Sequence, residues 1–144
     1  MRLHDIAVVG ASGLVGRKIL EIIQERHFEV GKVVAIASDA NAGKELNVKG
    51  KTFKLHKLEP HIFKNLEFAF FSAGGTVSRE WAPQAAADGA IVIDNSSAFR
   101  MQQDVPLIVP EVNRAEMFKN KGIIANPNCS TIQLVTVLKP LDVA

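Results

Sequence analysis

The stretch DIAVVGASGLVG, Asp5 to Gly16, constrains the fold of this chain more than any other. Asp5 to Gly10 is a short apolar, β-branched run that ends on glycine, the pattern of a strand buried in a parallel sheet. Beyond it the hydrophobic period changes. From Leu14 to Phe28, Leu14, Val15, Ile19, Ile22 and Ile23 recur at three-and-four spacing with charges between them, which predicts an amphipathic helix. The loop between strand and helix reads G-x-x-G-x-x-G, with Gly10, Gly13 and Gly16 at its corners. A turn without Cβ atoms lets backbone N–H groups approach a pyrophosphate at the helix N-terminus, where the helix dipole favours negative charge. Glycine spacing alone fits a plain tight turn; a strand before it and a helix after it are the context that turns the reading toward a dinucleotide.

The rest of the chain repeats the alternation. Lys32 to Ser38 reads as a second buried strand, and the alternation about Gly50 in VKGKTFKL predicts a peripheral hairpin or edge strand. Phe68 to Gly75 is a strand entering a glycine turn. Thr76 to Gly89 reads as a helix, with Thr76 or Ser78 as its cap, Pro83 as an irregularity and Gly89 as its stop. Ala90 to Asp94, Leu107 to Pro110 and Gly122 to Asn126 are three further strands, and Ser130 to Leu138 carries helical spacing. The expected architecture is one α/β domain over residues 1–144, a Rossmann-like, doubly wound, mostly parallel sheet with helices on both faces.

Composition excludes several function classes. At 47% hydrophobic and 22% charged residues the chain buries one ordinary core. The net charge of +2 is spread along the sequence with no basic block, so nucleic acid is not an expected partner. No apolar run approaches the ~20 residues of a membrane span and the start lacks an apolar signal region, so no membrane partner and a cytoplasmic location are expected. One cysteine cannot form an internal disulfide, which fits a reducing compartment and leaves the thiol free for chemistry. No metal site is expected.

Ligands of such sheets bind beyond the carboxyl ends of the strands. Ser72, Ala73 and Gly74 form a second small-residue turn, which beside the first would let a flat ring approach the backbone. In DNSSAFR, Asp94 to Arg100, an arginine follows polar groups at a strand end, where its guanidinium suits a phosphate or carboxylate. Cys129 in NPNCST admits two readings, a small buried apolar residue or a nucleophile. The Asn-Pro-Asn turn and the first turn of a helix favour the second: the dipole stabilises a thiolate there, and the free N–H groups of that turn suit an oxyanion. A nucleophilic thiol on a nicotinamide-type fold suggests aldehyde oxidation through a thioester, or its reverse.

Taken together, GASGLVG, SAGG, DNSSAFR, PEVN and NPNCST, in that order and across nearly the whole chain, resemble the N-terminal half of the aspartate-semialdehyde dehydrogenases. The resemblance implies an enzyme that makes L-aspartate 4-semialdehyde from 4-phospho-L-aspartate with NADPH, for lysine, methionine, threonine and diaminopimelate synthesis. It makes Cys129 the acyl-thioester nucleophile and Arg100 the phosphate-binding arginine, with Asn128 also on the substrate side. It gives the cofactor Gly10, Ser12, Gly13, Leu14 and Val15 at the pyrophosphate, Ser72, Ala73 and Gly74 as a lining turn, and Ser38, Ala40 and Asn41 after the second strand.

The sequence departs from the family twice. Members often carry Ala-Arg-Ser where this chain has Asp39, Ala40, Asn41. The arginine that would hold the 2′-phosphate of NADP is missing, and an aspartate there resembles the group that binds a free ribose hydroxyl; Ser38, Asn41 and Lys44 remain as phosphate partners, and NAD becomes possible. Family chains also run to more than twice this length, and their second half supplies the acid/base histidine, substrate contacts and most of a homodimer interface. His4, His27, His56 and His61 all read as surface residues. The alternatives are an N-acetyl-glutamyl-phosphate reductase, whose cysteine usually follows Pro-Gly, a glyceraldehyde-3-phosphate dehydrogenase, for which DNSSAFR is foreign, and a non-catalytic dinucleotide-binding module, which has no use for a thiol.

Overall fold

A computed structural model of the chain describes residues 3–142. Seven strands form one sheet, and six of them follow from runs read above; the seventh, Glu45–Val48, lies largely in the polar stretch Asp39 to Asn47, which reads as a loop, and is drawn into the sheet by antiparallel pairing with Lys51–His56. The chain order is β1 (His4–Val9), α1 (Leu14–Glu25), β2 (Val30–Ile36), β3 (Glu45–Val48), β4 (Lys51–His56), β5 (Phe68–Phe71), α2 (Gly75–Ala87), β6 (Ile91–Asp94), α3 (Pro110–Asn113), β7 (Ile123–Ala125) and α4 (Cys129–Asp142). In space the strands run β3-β4-β2-β1-β5-β6-β7, all parallel except β3, which pairs antiparallel with β4. The expected class, a doubly wound and mostly parallel sheet, is what forms.

Strand order reverses at β1. The chain leaves β1 through α1 to β2 on one side and returns later to β5 on the other, so the loops after β1 and β5 diverge and open a crevice between them. One core lies on the α2 side, where Val9, Ile36, Phe71, Val92 and Ala125 meet Ala82 and Ala85. A second lies on the α1 side, where Val8, Ala35 and Leu20 meet the hairpin residues Leu46, Phe53 and Leu55. Toward β6 the α1 side is only partly covered: Phe68, Phe70, Ile91 and Ile93 are half-buried, whereas their alternates on the opposite face are buried. Helix α4 keeps Leu134, Val137, Leu138 and Leu141 exposed. No helix among the described residues is long and apolar enough to cross a membrane.

Punctuation follows local chemistry. Helix α1 stops at Glu25, short of the expected Phe28, because His27 adopts φ 48° and the Phe28 N–H turns back to the Ile23 carbonyl. Gly89, at φ 99°, ends α2 in the same way, with Ala90 donating to the Ala85 carbonyl. Lys49 and Gly50 both take positive φ, which makes the β3–β4 connection a two-residue turn matched to strand twist.

Four further expectations are corrected. Leu107 to Pro110 is not a strand: Leu107 makes a single bridge to Ala125, the Asn113 side chain takes the Val109 N–H and the Leu107 carbonyl, and Pro110 opens α3. Helix α2 runs unbroken through Pro83. Neither Thr76 nor Ser78 caps α2, whose N-cap is Gly74 without a side-chain bond; the Ser78 hydroxyl turns instead to Asp94. His4 is half-buried against Glu67 and the rings of Phe28 and Phe68, not a free surface residue.

Candidate functional site

The two glycine-containing turns touch. Gly10 takes φ 87°, and a Cβ there would stand 2.8 Å from the Ser72 carbonyl oxygen, so only glycine lets the turns meet without displacing backbone. Val9 and Ser72 complete the seam, since the Val9 carbonyl accepts from the Ser72 amide at 2.9 Å and from its hydroxyl at 3.1 Å. At Gly16 a Cβ would lie 2.2 Å from the Gly10 carbonyl oxygen, so α1 rests on the turn itself. Gly13 donates to the Gly10 carbonyl and is the N-cap of α1, with no side-chain bond to the first-turn N–H groups of that helix.

Between these turns Val9, Gly10, Ile36, Ala37, Ser38, Leu58, Ala73 and Val77 line a cavity of ≈ 150 Å³. Of the residues expected to meet a cofactor, Gly10, Ser38 and Ala73 line it. Ser12, Gly13, Leu14 and Val15 lie on the turn and first residues of α1, and Leu14 and Val15 are largely exposed. Ser72 and Gly74 flank Ala73. Ala40 and Asn41 sit in the short 3₁₀ turn Asp39–Asn41, where the Lys44 ammonium donates to the Asn41 side-chain oxygen at 3.0 Å. Apolar walls closed by backbone donors and lacking Cβ atoms at the contact suit a dinucleotide. Leu58 and Val77 are wall residues that the motifs did not indicate; only the fold brings them there.

The second half of the site gathers at the ends of β6 and β7. Arg100 is half-buried and tied at two points, its Nε donating to the Asn126 carbonyl at 2.8 Å and an Nη to the Asn95 carbonyl at 2.9 Å. Asn126 in turn donates from its side chain to Asn95 Oδ1 at 2.7 Å, and Asn95 to the Phe71 carbonyl at 3.2 Å. Arg100 thus spans the strand end that leads, through buried Pro127, into Asn128 and Cys129. Asn95 and Asn126 were not singled out from sequence, although both stand inside the quoted motifs at strand ends.

Cys129 is exposed and is the first residue of α4, which decides against the buried apolar reading. Asn128 caps the helix: its side-chain oxygen accepts from the Ser130 amide at 3.0 Å and the Ser130 hydroxyl at 2.7 Å, and lies 3.7 Å from the Cys129 sulfur. The amides of Cys129 and Thr131 are left by helix geometry without an intrahelical acceptor. The thiol therefore faces solvent beside free N–H groups and the positive end of the helix dipole, an arrangement able to attack a carbonyl and hold the charge that develops on it.

Residues 5–120 match the family described as "Semialdehyde dehydrogenase, NAD binding domain". The chain is 55% identical over 141 residues to the aspartate-semialdehyde dehydrogenase of Aquifex aeolicus, covering 96% of this chain and 42% of that protein. It is 48% identical over 139 residues to the aspartate-semialdehyde dehydrogenase of Bacillus subtilis, covering 96% of this chain and 40% of that one. Among solved structures, aspartate semialdehyde dehydrogenase II complexed with ASA from Vibrio cholerae superposes with a TM-score of 0.94 at 45% identity, covering 99% of this chain and 47% of that one. The chain thus spans about two-fifths of the length of these curated relatives.

Proposed function

The chain belongs to the semialdehyde dehydrogenases through their NAD-binding domain, and on that premise we propose that it is the cofactor-binding, nucleophile-bearing part of an aspartate-semialdehyde dehydrogenase. The observation that carries the reading is the double tether of Arg100 to Asn95 and Asn126, which holds an anion-binding group over the turn that delivers Cys129. A non-catalytic nucleotide-binding module would have no reason to assemble these two groups.

In this reading the Cys129 thiolate attacks the acyl carbon of 4-phospho-L-aspartate. The C–S bond forms, the bond from carbon to the phosphate oxygen breaks, and inorganic phosphate leaves toward Arg100. The amides of Cys129 and Thr131 stabilise the oxyanion of the addition step, and Asn128 meets the substrate beside the sulfur. When bound, reduced nicotinamide would supply the hydride, and the Cys129 sulfur would then leave the carbon as L-aspartate 4-semialdehyde is released. Gly10, Ser12, Gly13, Leu14 and Val15 hold the pyrophosphate at the start of α1, and Ser72, Ala73 and Gly74 line the second wall. The proton donor and the groups that orient the substrate come from a further domain, which also covers α4 and forms most of a homodimer. The enzyme works in the cytoplasm on small molecules, without nucleic acid or membrane partners.

NADP is the preferred cofactor, with NAD accepted. Ser38, Ala40 and Asn41 would meet the ribose, and Lys44, which donates to Asn41, would be the cation left for a 2′-phosphate. A hydrogen bond to a charged group is worth about 1.5–3 kcal/mol, so Lys44→Ala is expected to lower NADP affinity roughly tenfold or more and leave NAD affinity unchanged. Paired titrations check this; an equal loss for both cofactors would remove Lys44 from the phosphate.

The substrate assignment is tested with the full-length enzyme. Phosphate-dependent reduction of NADP is expected with L-aspartate 4-semialdehyde and at a rate about 100-fold lower or less with N-acetyl-L-glutamate 5-semialdehyde, since specific polar contacts discriminate by that order. The reverse preference would make the chain part of an N-acetyl-glutamyl-phosphate reductase.

A further inference from the structure

A carboxylate taken out of water is costly unless its oxygens are satisfied. Asp94, the last residue of β6, is fully buried. Its Oδ1 accepts from the Ser78 hydroxyl at 2.6 Å and the Ser96 amide at 3.2 Å, and its Oδ2 from the Ser96 hydroxyl at 2.7 Å. All three donors are neutral, so what the group contributes is directional hydrogen bonding.

The donors come from two different parts of the site. Ser78 lies in the first turns of α2, the helix that starts directly after the Ser72–Gly74 turn. Ser96 belongs to the loop that carries Arg100, and its hydroxyl also accepts the Ala98 amide at 3.0 Å, which extends the hold along that loop. The backbone of Asp94 is pinned as well, its carbonyl accepting from Asn126 at 2.8 Å. One buried residue thus joins the helix behind the dinucleotide turn and the loop of the phosphate arginine through its side chain, and the strand end that leads to the nucleophile through its carbonyl.

We propose that Asp94 is a positioning residue: through Ser78 and Ser96 it fixes the Arg100 loop against α2, so that the anion-binding guanidinium keeps one placement relative to the cofactor turn. This rests on the reading of Arg100 as the phosphate-binding group. Asparagine at this position keeps both serines tied to residue 94, since its oxygen can accept from Ser78 Oγ and Ser96 N–H and its amide can donate to Ser96 Oγ; the Ser96 bond is reversed in direction and only the Ser96 hydroxyl proton loses its acceptor. Alanine leaves two hydroxyls and an amide without acceptors in a buried place.

The test is a set of variants of the full-length enzyme, with Tm as a folding control and the KM for inorganic phosphate measured in the oxidative direction. Asp94→Ala is expected to raise the phosphate KM about 10-fold or more with a smaller change in the semialdehyde KM, and Asp94→Asn to stay within about threefold of the parent enzyme. Asp94→Ala placed on Arg100→Ala is expected to raise the phosphate KM no further. If Asp94→Ala does not fold, Ser96→Ala takes its place, with the same selective rise expected. An unchanged phosphate KM in the folded alanine variants, an asparagine variant as impaired as alanine, or full additivity with Arg100→Ala would overturn the proposal. An Arg100→Ala enzyme with unaltered phosphate KM would instead remove the reading on which it rests.

Discussion

Cys129→Ser is expected to lower the kcat of the full-length enzyme by about 10³-fold or more, with NADP affinity and folding unaltered. A serine hydroxyl is not ionised near neutral pH and is a far weaker nucleophile than a thiolate, and the side-chain partner of the sulfur among the described residues is the amide oxygen of Asn128, at 3.7 Å, which is not a base. A thousandfold loss corresponds to about 4 kcal/mol of barrier, far above what the near-isosteric change costs in packing at an exposed helix start. Steady-state rates and cofactor titration together check this. Retention of a tenth of the activity would show that the sulfur is not the attacking atom.

Gly16→Ala carries the second large effect, and its sign is informative. Helix propensity alone says that replacing a helical glycine with alanine stabilises by about 1 kcal/mol. Here the added methyl would stand 2.2 Å from the Gly10 carbonyl oxygen and 2.8 Å from the Ala11 Cα, and both are backbone atoms of the loop itself. They move only if α1 lifts off the turn. Overpacking of this kind costs about 1–3 kcal/mol, so the clash outweighs the propensity gain. Displacement of the first-turn N–H groups is expected to weaken dinucleotide binding by about tenfold or more. Gly75→Ala is the control, because its Cβ would meet only the flexible Arg79 guanidinium at 3.3 Å, and stability there is expected to hold or rise. Thermal melts and NADP titrations of both variants check the contrast; a Gly16→Ala protein that binds normally would mean that α1 is not seated on the turn.

Much of this was legible in the sequence because the signals are local. The β1–α1 unit, the Lys49–Gly50 turn and the Gly89 stop each depend on residues within a few positions of one another, where glycine and β-branched side chains act directly on the backbone. The Leu107 to Pro110 run was misread for a reason that lies elsewhere in the chain. Its apolar composition fits a strand, but the Asn113 side chain captures two of the backbone groups that a ladder would need. Residue type and position make Ser78 a fair helix cap; its actual partner, Asp94, is 16 residues away and is supplied by β6. The same holds for Arg100. Its residue type suggested an anion, whereas its placement depends on carbonyls of Asn95 and Asn126 that only the sheet order brings together. Cys129 needed both kinds of information: its motif marked it as a candidate, and its exposure at the start of α4 removes the buried apolar reading.

On the proposed function, this chain holds the cofactor site and the nucleophile, and a further part of the enzyme completes the catalytic apparatus. The most direct test of this is phosphate-dependent formation of NADPH from L-aspartate 4-semialdehyde, run on this chain and on the full-length enzyme at equal concentrations of Cys129, with NADP binding measured for both. The expected result is that both bind NADP and only the full-length enzyme turns over, because on the proposed function general acid–base help and substrate orientation, each worth about 10²-fold or more, come from the rest of the enzyme. Comparable turnover by this chain alone, or no semialdehyde oxidation by the full-length enzyme, would contradict the account.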